Sequence, residues 1–273
     1  MNIARRLLEV GVVFLAGACA STASMRGAPV AAHDARIFRG DGNEANWDAL
    51  VDAAAASEVV LIGENHGHPL GLATAARLFD EVLARAPMTS LSLEFFERDD
   101  QSRIDDYLQG LSDGATFERR TGRNEGSYPP GHRAMLEAAR KAGRPVHGAN
   151  APRALVRVAR TEGYARLRAL TAEQQRLLRI PDELVVGRYR EAFDKVMTPE
   201  DRDVQAPEER ERLDAVFRSQ QLWDWTMADA VVDALELGES PVVHVVGRFH
   251  VDHDGGTAQV LRKLRPGTKT LVV

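Results

Sequence analysis

The chain has 273 residues, 44% hydrophobic and 27% charged, which is enough for one sizeable α/β domain or one domain with an insertion. A net charge of −5 provides no basic surface for nucleic acid, so nucleic acid is not expected as a partner. The single cysteine excludes a disulfide within the chain.

The first element in chain order is a leader. Arg5 and Arg6 precede a mostly apolar run over 7–15, interrupted by Glu9, and the small residues Gly17 and Ala18 stand directly before Cys19. This is a secretory signal layout, with an apolar run too short to span a bilayer. A sole cysteine after "LAGA" resembles the lipobox of bacterial lipoproteins, where cleavage leaves a lipidated cysteine at the new N-terminus. The resemblance implies a signal peptide over 1–18, lipidation at Cys19 and export to a membrane anchor. Ala20 rather than Asp after the cysteine fits an outer-membrane location facing the periplasm. Residues 19–34 are small, polar and Pro-containing and read as a flexible tether.

A single domain is expected over 35–273. "ARIFRGDGN" reads as a short strand ending in an Asp-Gly turn, and 46–57 as a helix with Asn46 as its N-cap. Strand 58–63 precedes helix 69–86, and strand 90–96 precedes helix 98–109. A loop over 110–129, helix 130–142 and strand 144–149 follow. Between about 152 and 237 the chain turns helical and charged, with segments at 152–160, 163–169, 171–179, 181–195 and 208–237, and reads as an inserted helical subdomain. Strand 241–247, helix 256–264 and strand 268–273 close the chain. Repeated β-α-β with continuous apolar strands predicts an α/β fold, a mostly parallel central sheet with helices on both faces.

In open parallel sheets, ligands bind beyond the carboxyl ends of the strands. Strand 58–63 delivers Glu64, His66 and His68 to that edge, and strand 90–96 delivers Glu94 followed by Arg98. Strand 144–149 delivers Asn150, and strand 241–247 delivers Arg248, His250, Asp252 and His253. Glu94 is the most informative acid, because a carboxylate inside an apolar run needs a cation, a metal or a hydrogen-bond cluster. His147 and His244 fall inside strands and read as buried, hydrogen-bonded neutral histidines, and His132, in a helix, as solvated. HExxH, GxSxG, Walker and GxGxxG motifs are absent. With the only cysteine in the lipobox, a hydrolase here would use activated water.

"VVLIGENHGHP", "LSLEFFERDDQSRIDDYLQG", "VHGANAPRALV" and "VVHVVGRFHVDHDGG", in that order, resemble the ChaN-like family of bacterial lipoproteins. That family belongs to a wider group with the erythromycin esterases, the Tiki proteases and the TraB-type proteins. The match runs from about residue 35 to the C-terminus. It implies a membrane-anchored protein binding haem or iron for uptake, with a homodimer sandwiching the ligand. Carried over residue by residue, the family pattern falls on Gly63, Glu64, His66, Glu94, Asp100, Gln101, Asn150 and His250, with His68, Arg98, Arg248 and His253 beside them as ligand-binding candidates. Haem-binding members need an axial His or Tyr. Tyr107, Tyr128, Tyr164 and Tyr189 are available, and no motif singles one out. Because the wider group includes hydrolases, the alternative is hydrolysis by Glu64, His66, Glu94 and His250 as catalytic residues. They would act around one activated water or as ligands of a single divalent metal such as Zn or Mn. His68 with Pro69, and the dense "HVDHD", depart from the general family pattern.

Overall fold

The unbroken apolar runs become a parallel sheet, as continuous hydrophobicity requires when both faces are covered. In the computed structural model, which describes residues 35–124, 126–198 and 203–273, a small hairpin comes first: β1 (Ile37–Phe38) pairs antiparallel with β2 (Glu44–Ala45). The expected leader, Cys19 and the tether lie outside the described residues. Five parallel strands follow, β3 (Val59–Glu64), β4 (Ser90–Glu97), β5 (Val146–Asn150), β6 (Val242–Gly247) and β7 (Thr270–Val272), in the spatial order β5-β4-β6-β3-β7. β6 returns late in the chain to sit between β3 and β4, so the strand order switches there. Such a switch opens a crevice at the carboxyl edge.

Each face of the sheet has its own core. On one side α1 (Trp47–Ala55), α2 (Pro69–Arg85), α3 (Gln101–Leu108), α4 (Gly114–Arg120) and α5 (Pro130–Lys141) bury Phe79, Ile104, Phe117 and Met135 against Leu91, Leu93 and Val243. On the other, α10 (Pro207–Glu236) and α11 (Gly256–Leu264) bury Trp225, Val231 and Leu261 against Leu61, Val242 and Val246. Local chemistry starts the helices: Asn46 accepts the Ala49 N–H at 2.7 Å, as expected, and His68, expected as a ligand-binding residue, instead accepts the Gly71 N–H at 3.0 Å ahead of Pro69.

Between β5 and β6 lie α6 (Arg153–Glu162), α7 (Tyr164–Arg168), α8 (Ala172–Gln175), α9 (Arg188–Met197) and α10. The 30-residue α10 does two jobs. Its first half packs Leu213 and Phe217 against Tyr189 and Phe193 of α9, and Leu222 against α6 and α7, while its second half covers the sheet. Three predicted segments differ, the helix expected over 171–179 being cut to the four residues of α8. The expected loop 110–129 contains α4, capped by Asp113 on the Thr116 N–H at 2.7 Å. The helix expected from 181 starts only at Arg188, because Gly187 takes a positive φ of 68° that helical backbone cannot continue through.

Candidate functional site at the carboxyl edge of the sheet

Glu64 ends β3, the strand beside the switch, and is buried. His66 Nδ1 donates to its Oε1 at 2.9 Å and His132 Nε2, from the first turn of α5, to its Oε2 at 2.8 Å. Burial pushes the Glu64 carboxyl up, but the hydrogen bonds from His132 and His66 outweigh this and hold it down at about 2. The His66 imidazole is raised, first by its bond to Glu64, against partial burial and with help from the Glu94 charge. The His66 side chain is 69% exposed, whereas that of His132 is 4% exposed. The expectation that His132 is solvated is therefore corrected: the apolar stripe of α5 turns its first turn inward, against Phe95 at 4.5 Å between ring centroids.

Glu94 owes its position to an irregularity in β4. The β4–β5 register runs Leu93 to Gly148 and then Glu97 to Asn150, so three residues of β4 stand against one of β5. Bulges of this kind re-aim side chains beside sites. Phe95 and Phe96 both enter the core on the α5 side, and Glu94 turns toward β6, where its Oε2 accepts the Gly247 N–H. The other oxygen lies 3.8 Å from His250 Nε2.

His250, buried in the turn after β6, gives its Nδ1 to Asp224 at 2.7 Å. Asp224 comes from the middle of α10, is fully buried, and also accepts Tyr189 Oη at 2.8 Å, Thr257 Oγ1 at 2.8 Å and the Gln221 amide at 3.2 Å. Burial disfavours the His250 imidazolium, yet the Asp224 charge and hydrogen bond, with Glu94, raise it overall. Gly247 makes the close approach possible. A methyl group there would stand 2.7 Å from His66 Nε2 and 3.3 Å from Glu94 Oε2. The edge thus holds two carboxylate-oriented histidines on either side of Glu94, in place of one four-residue cluster.

The other expected residues fall around this centre or away from it. His68 caps α2 through Nδ1, Arg248 is exposed and 3.8 Å from Asp252, and His253 is exposed with a positive φ of 49°. Arg98 pairs with Asp229 and Asp233 of α10, both at 3.1 Å, and lines a separate cavity of about 200 Å³ with Gln101 and His147. Gln101 braces β5 by accepting the Gly148 N–H at 2.9 Å and donating to the Val146 carbonyl at 2.9 Å. Asn150 ends β5 with its Oδ1 buried and without a hydrogen-bond partner among the described residues. His244 is buried against Ser92 Oγ at 2.9 Å, as its strand position predicts, whereas His147 is half-buried and pairs with the Glu239 carboxylate at 2.6 Å. Among the described residues no group of three His, Cys, Asp or Glu side chains is arranged to hold a metal ion. His132 and Asp224 are the site residues that sequence reasoning missed, whereas Gly247, just before His250, stands where a bend of the backbone toward a pocket is expected.

No curated protein sequence matches the chain. A solved structure of ChaN from Campylobacter jejuni, described as showing cofacial heme binding, superposes with a TM-score of 0.66 at 13% identity, covering 85% of this chain and 86% of that one. At that identity the likeness carries the fold alone, and it is the α/β fold expected from the strand pattern. The profile of one family, described as haem-binding uptake, Tiki superfamily, ChaN, matches residues 50–261, from α1 to α11, and so spans every strand and turn that builds the site. The chain therefore belongs to the ChaN family of the Tiki superfamily.

Proposed function

We propose that this protein binds haem at the carboxyl edge of its sheet, with His66 as the axial ligand to the iron. The observation that carries the reading is the state of His66: it is exposed, its Nδ1 is engaged by buried Glu64, and its Nε2 makes no hydrogen bond among the described residues. Metal-ligating histidines almost always give their other ring N–H to a carboxylate, carbonyl or water, which fixes the ring and strengthens the ligand. His68 and His253 are also exposed, but neither has a carboxylate on its ring among the described residues. Tyrosine is the other ligand the family leads one to expect. Burial pushes the phenols of Tyr107, Tyr128, Tyr164 and Tyr189 up, away from the phenolate that iron requires, and Tyr189 and Tyr164 spend their hydroxyls on Asp224 and the Arg218 carbonyl.

In this reading haem is cargo, and the protein serves iron acquisition. The leader pattern ending in a sole Cys19 after "LAGA" supports a lipid anchor, and Ala20 after the cysteine supports the periplasmic side of the outer membrane. The exposure of His66 supports a homodimer, because a planar ligand on an open edge leaves one face for a second copy to cover.

Titration of the full chain with ferric haem tests the proposal. A saturable Soret shift is expected, weakened roughly 10–100-fold or more in His66→Ala. Gly247→Ala is expected to weaken binding with little loss of stability, because the added methyl meets the far end of the His66 ring rather than backbone. Absence of a shift in the wild-type protein overturns the reading.

A further inference from the structure

We propose that α6 and α7 present a basic face that docks on anionic phospholipid headgroups, so that the chain meets a bilayer through protein as well as through its anchor. The inference rests on the lipid-anchored reading above and names the surface that faces the membrane.

The whole-chain charge conceals this face. From Arg153 to Arg179 the chain carries seven arginines against two acids, Glu162 and Glu173, a net charge of +5, so the remainder of the chain carries −10. In α6, Arg153, Arg157 and Arg160 recur at i, i+4 and i+7 and form one stripe. Val156 and Ala159 take another side of the helix into a core with Leu167 of α7 and Leu222 of α10. The stripe is left facing outward, with Arg153 and Arg157 exposed and Arg160 half-buried. In α7 the buried residue is Leu167, and its neighbours Arg166 and Arg168 are exposed. The exposed residues between the arginines, Ala154, Ala165 and Ala169, are too short to shield them.

Little inside the protein answers these charges. Arg153 meets Glu97 at 3.2 Å and Arg166 meets Glu162 at 3.6 Å, and pairs as exposed as these hold weakly. Arg157, Arg160 and Arg168 have no ion-pair partner among the described residues. The carbonyls that end α6, where a cation is ordinarily welcome, are taken by Arg218 of α10, which donates to those of Ala159 and Arg160 at 3.2 Å. Like charges three and four residues apart on a helix cost stability, so the stripe is a local cost that an external anion offsets. The guanidinium fork takes phosphate oxygens in pairs, and an anionic leaflet offers phosphates across a broad surface. Each arginine near such a surface strengthens binding by roughly fivefold. Of the polyanions that suit this face, the bilayer is the one held beside an anchored chain.

The test measures binding of the full chain to vesicles of phosphatidylcholine alone and of phosphatidylcholine mixed with phosphatidylglycerol. The chain carries Cys19→Ser, so that no acyl group contributes. Binding to the anionic vesicles is expected, with little to the neutral ones, and raising the salt from roughly 0.05 to 0.5 M should abolish it. Arg157→Gln, Arg160→Gln and Arg168→Gln together should weaken it about 100-fold, at roughly fivefold per residue. A control with the same change of charge at other exposed positions, Arg39→Gln, Arg119→Gln and Lys141→Gln, should bind as wild type. Binding to neither vesicle or to both alike, equal losses in the two triple variants, or no loss in the first of them overturns the inference. Tighter binding to a DNA duplex than to anionic vesicles overturns it as well. The vesicle comparison and the salt dependence use unaltered arginines, so they decide the matter even if the first variant does not fold. Haem titration, and the mass of Cys19 in protein from its host, test the earlier readings separately, and either can fail while vesicle binding stands.

Discussion

Asp224 shows what a single buried charge demands. It is fully buried in the middle of α10, and its partners are two hydroxyls, one amide and the His250 imidazole, with no Arg or Lys among its ion pairs within the described residues. A buried carboxylate is tolerated only when such a network is complete, and removing one member leaves the rest unsatisfied. Asp224→Ala should therefore cost about 3 kcal/mol, seen as a fall in melting temperature of about 6–12 °C. A melting temperature within a degree of wild type would show that the network is dispensable. Asp224→Asn should cost less, since the amide keeps one acceptor. The sequence makes Glu64, His66, Glu94 and His250 visible because they end or interrupt apolar runs, where a charge is conspicuous. Asp224 and His132 sit in helices among other polar residues, where a charge is ordinarily solvated. Only the three-dimensional crossing of α10 and α5 over the sheet turns them inward.

At the scale of elements, the site depends on how closely α5 can approach α2. A methyl on Gly131 would stand 2.6 Å from Leu72 Cβ and 2.7 Å from the Leu72 carbonyl oxygen, so backbone would have to move. Gly131→Ala should destabilise by about 1–3 kcal/mol, the usual range for overpacking. Because His132 is the next residue, it should also loosen the Glu64 bond and weaken haem binding. Unchanged binding together with lowered stability would show that the edge does not depend on the placement of α5. Strands β3 to β7, α1, α2, α5 and α11 are legible from the sequence because their hydrophobic pattern is clean and Asn46 and Pro69 mark helix starts. α4 escapes notice because Phe117 is its only buried residue, too few to establish a period. The double role of α10 is illegible for a related reason: its partner changes halfway along, so no single apolar stripe runs its length.

The described residues belong to one compact unit, so its buried titrating groups act on one folding equilibrium. Two histidines pull that equilibrium in opposite directions. His250 is raised above 6.5 by Asp224 in spite of burial, so its contribution is full below 6.5 and is lost as pH rises through its folded value. His244 is pushed down to about 3, first by burial and then by the His250 charge. Its contribution is full above 6.5 and is lost as pH falls, because only the unfolded chain takes the proton. Glu64, held at about 2 against an ordinary 4.5, adds a further loss on the acid side that begins near 4.5. Glu97, Asp100 and Asp229 act the other way there, since burial raises them and acid relieves them, so they soften the acid limb without reversing the histidines. Stability should therefore peak near pH 6.5 and fall on both sides, by up to about 1.4 kcal/mol per unit for each unmatched proton. Urea unfolding from pH 4 to 9 measures this. His250→Asn should shrink the alkaline limb to the part that the raised His66 contributes, and ease the acid limb as well, since the His250 charge no longer helps to hold His244 down. A stability that keeps rising from pH 6 to 9 in the wild-type protein would mean that His250 is folded as the neutral imidazole, donating to Asp224 from Nδ1 without carrying a charge.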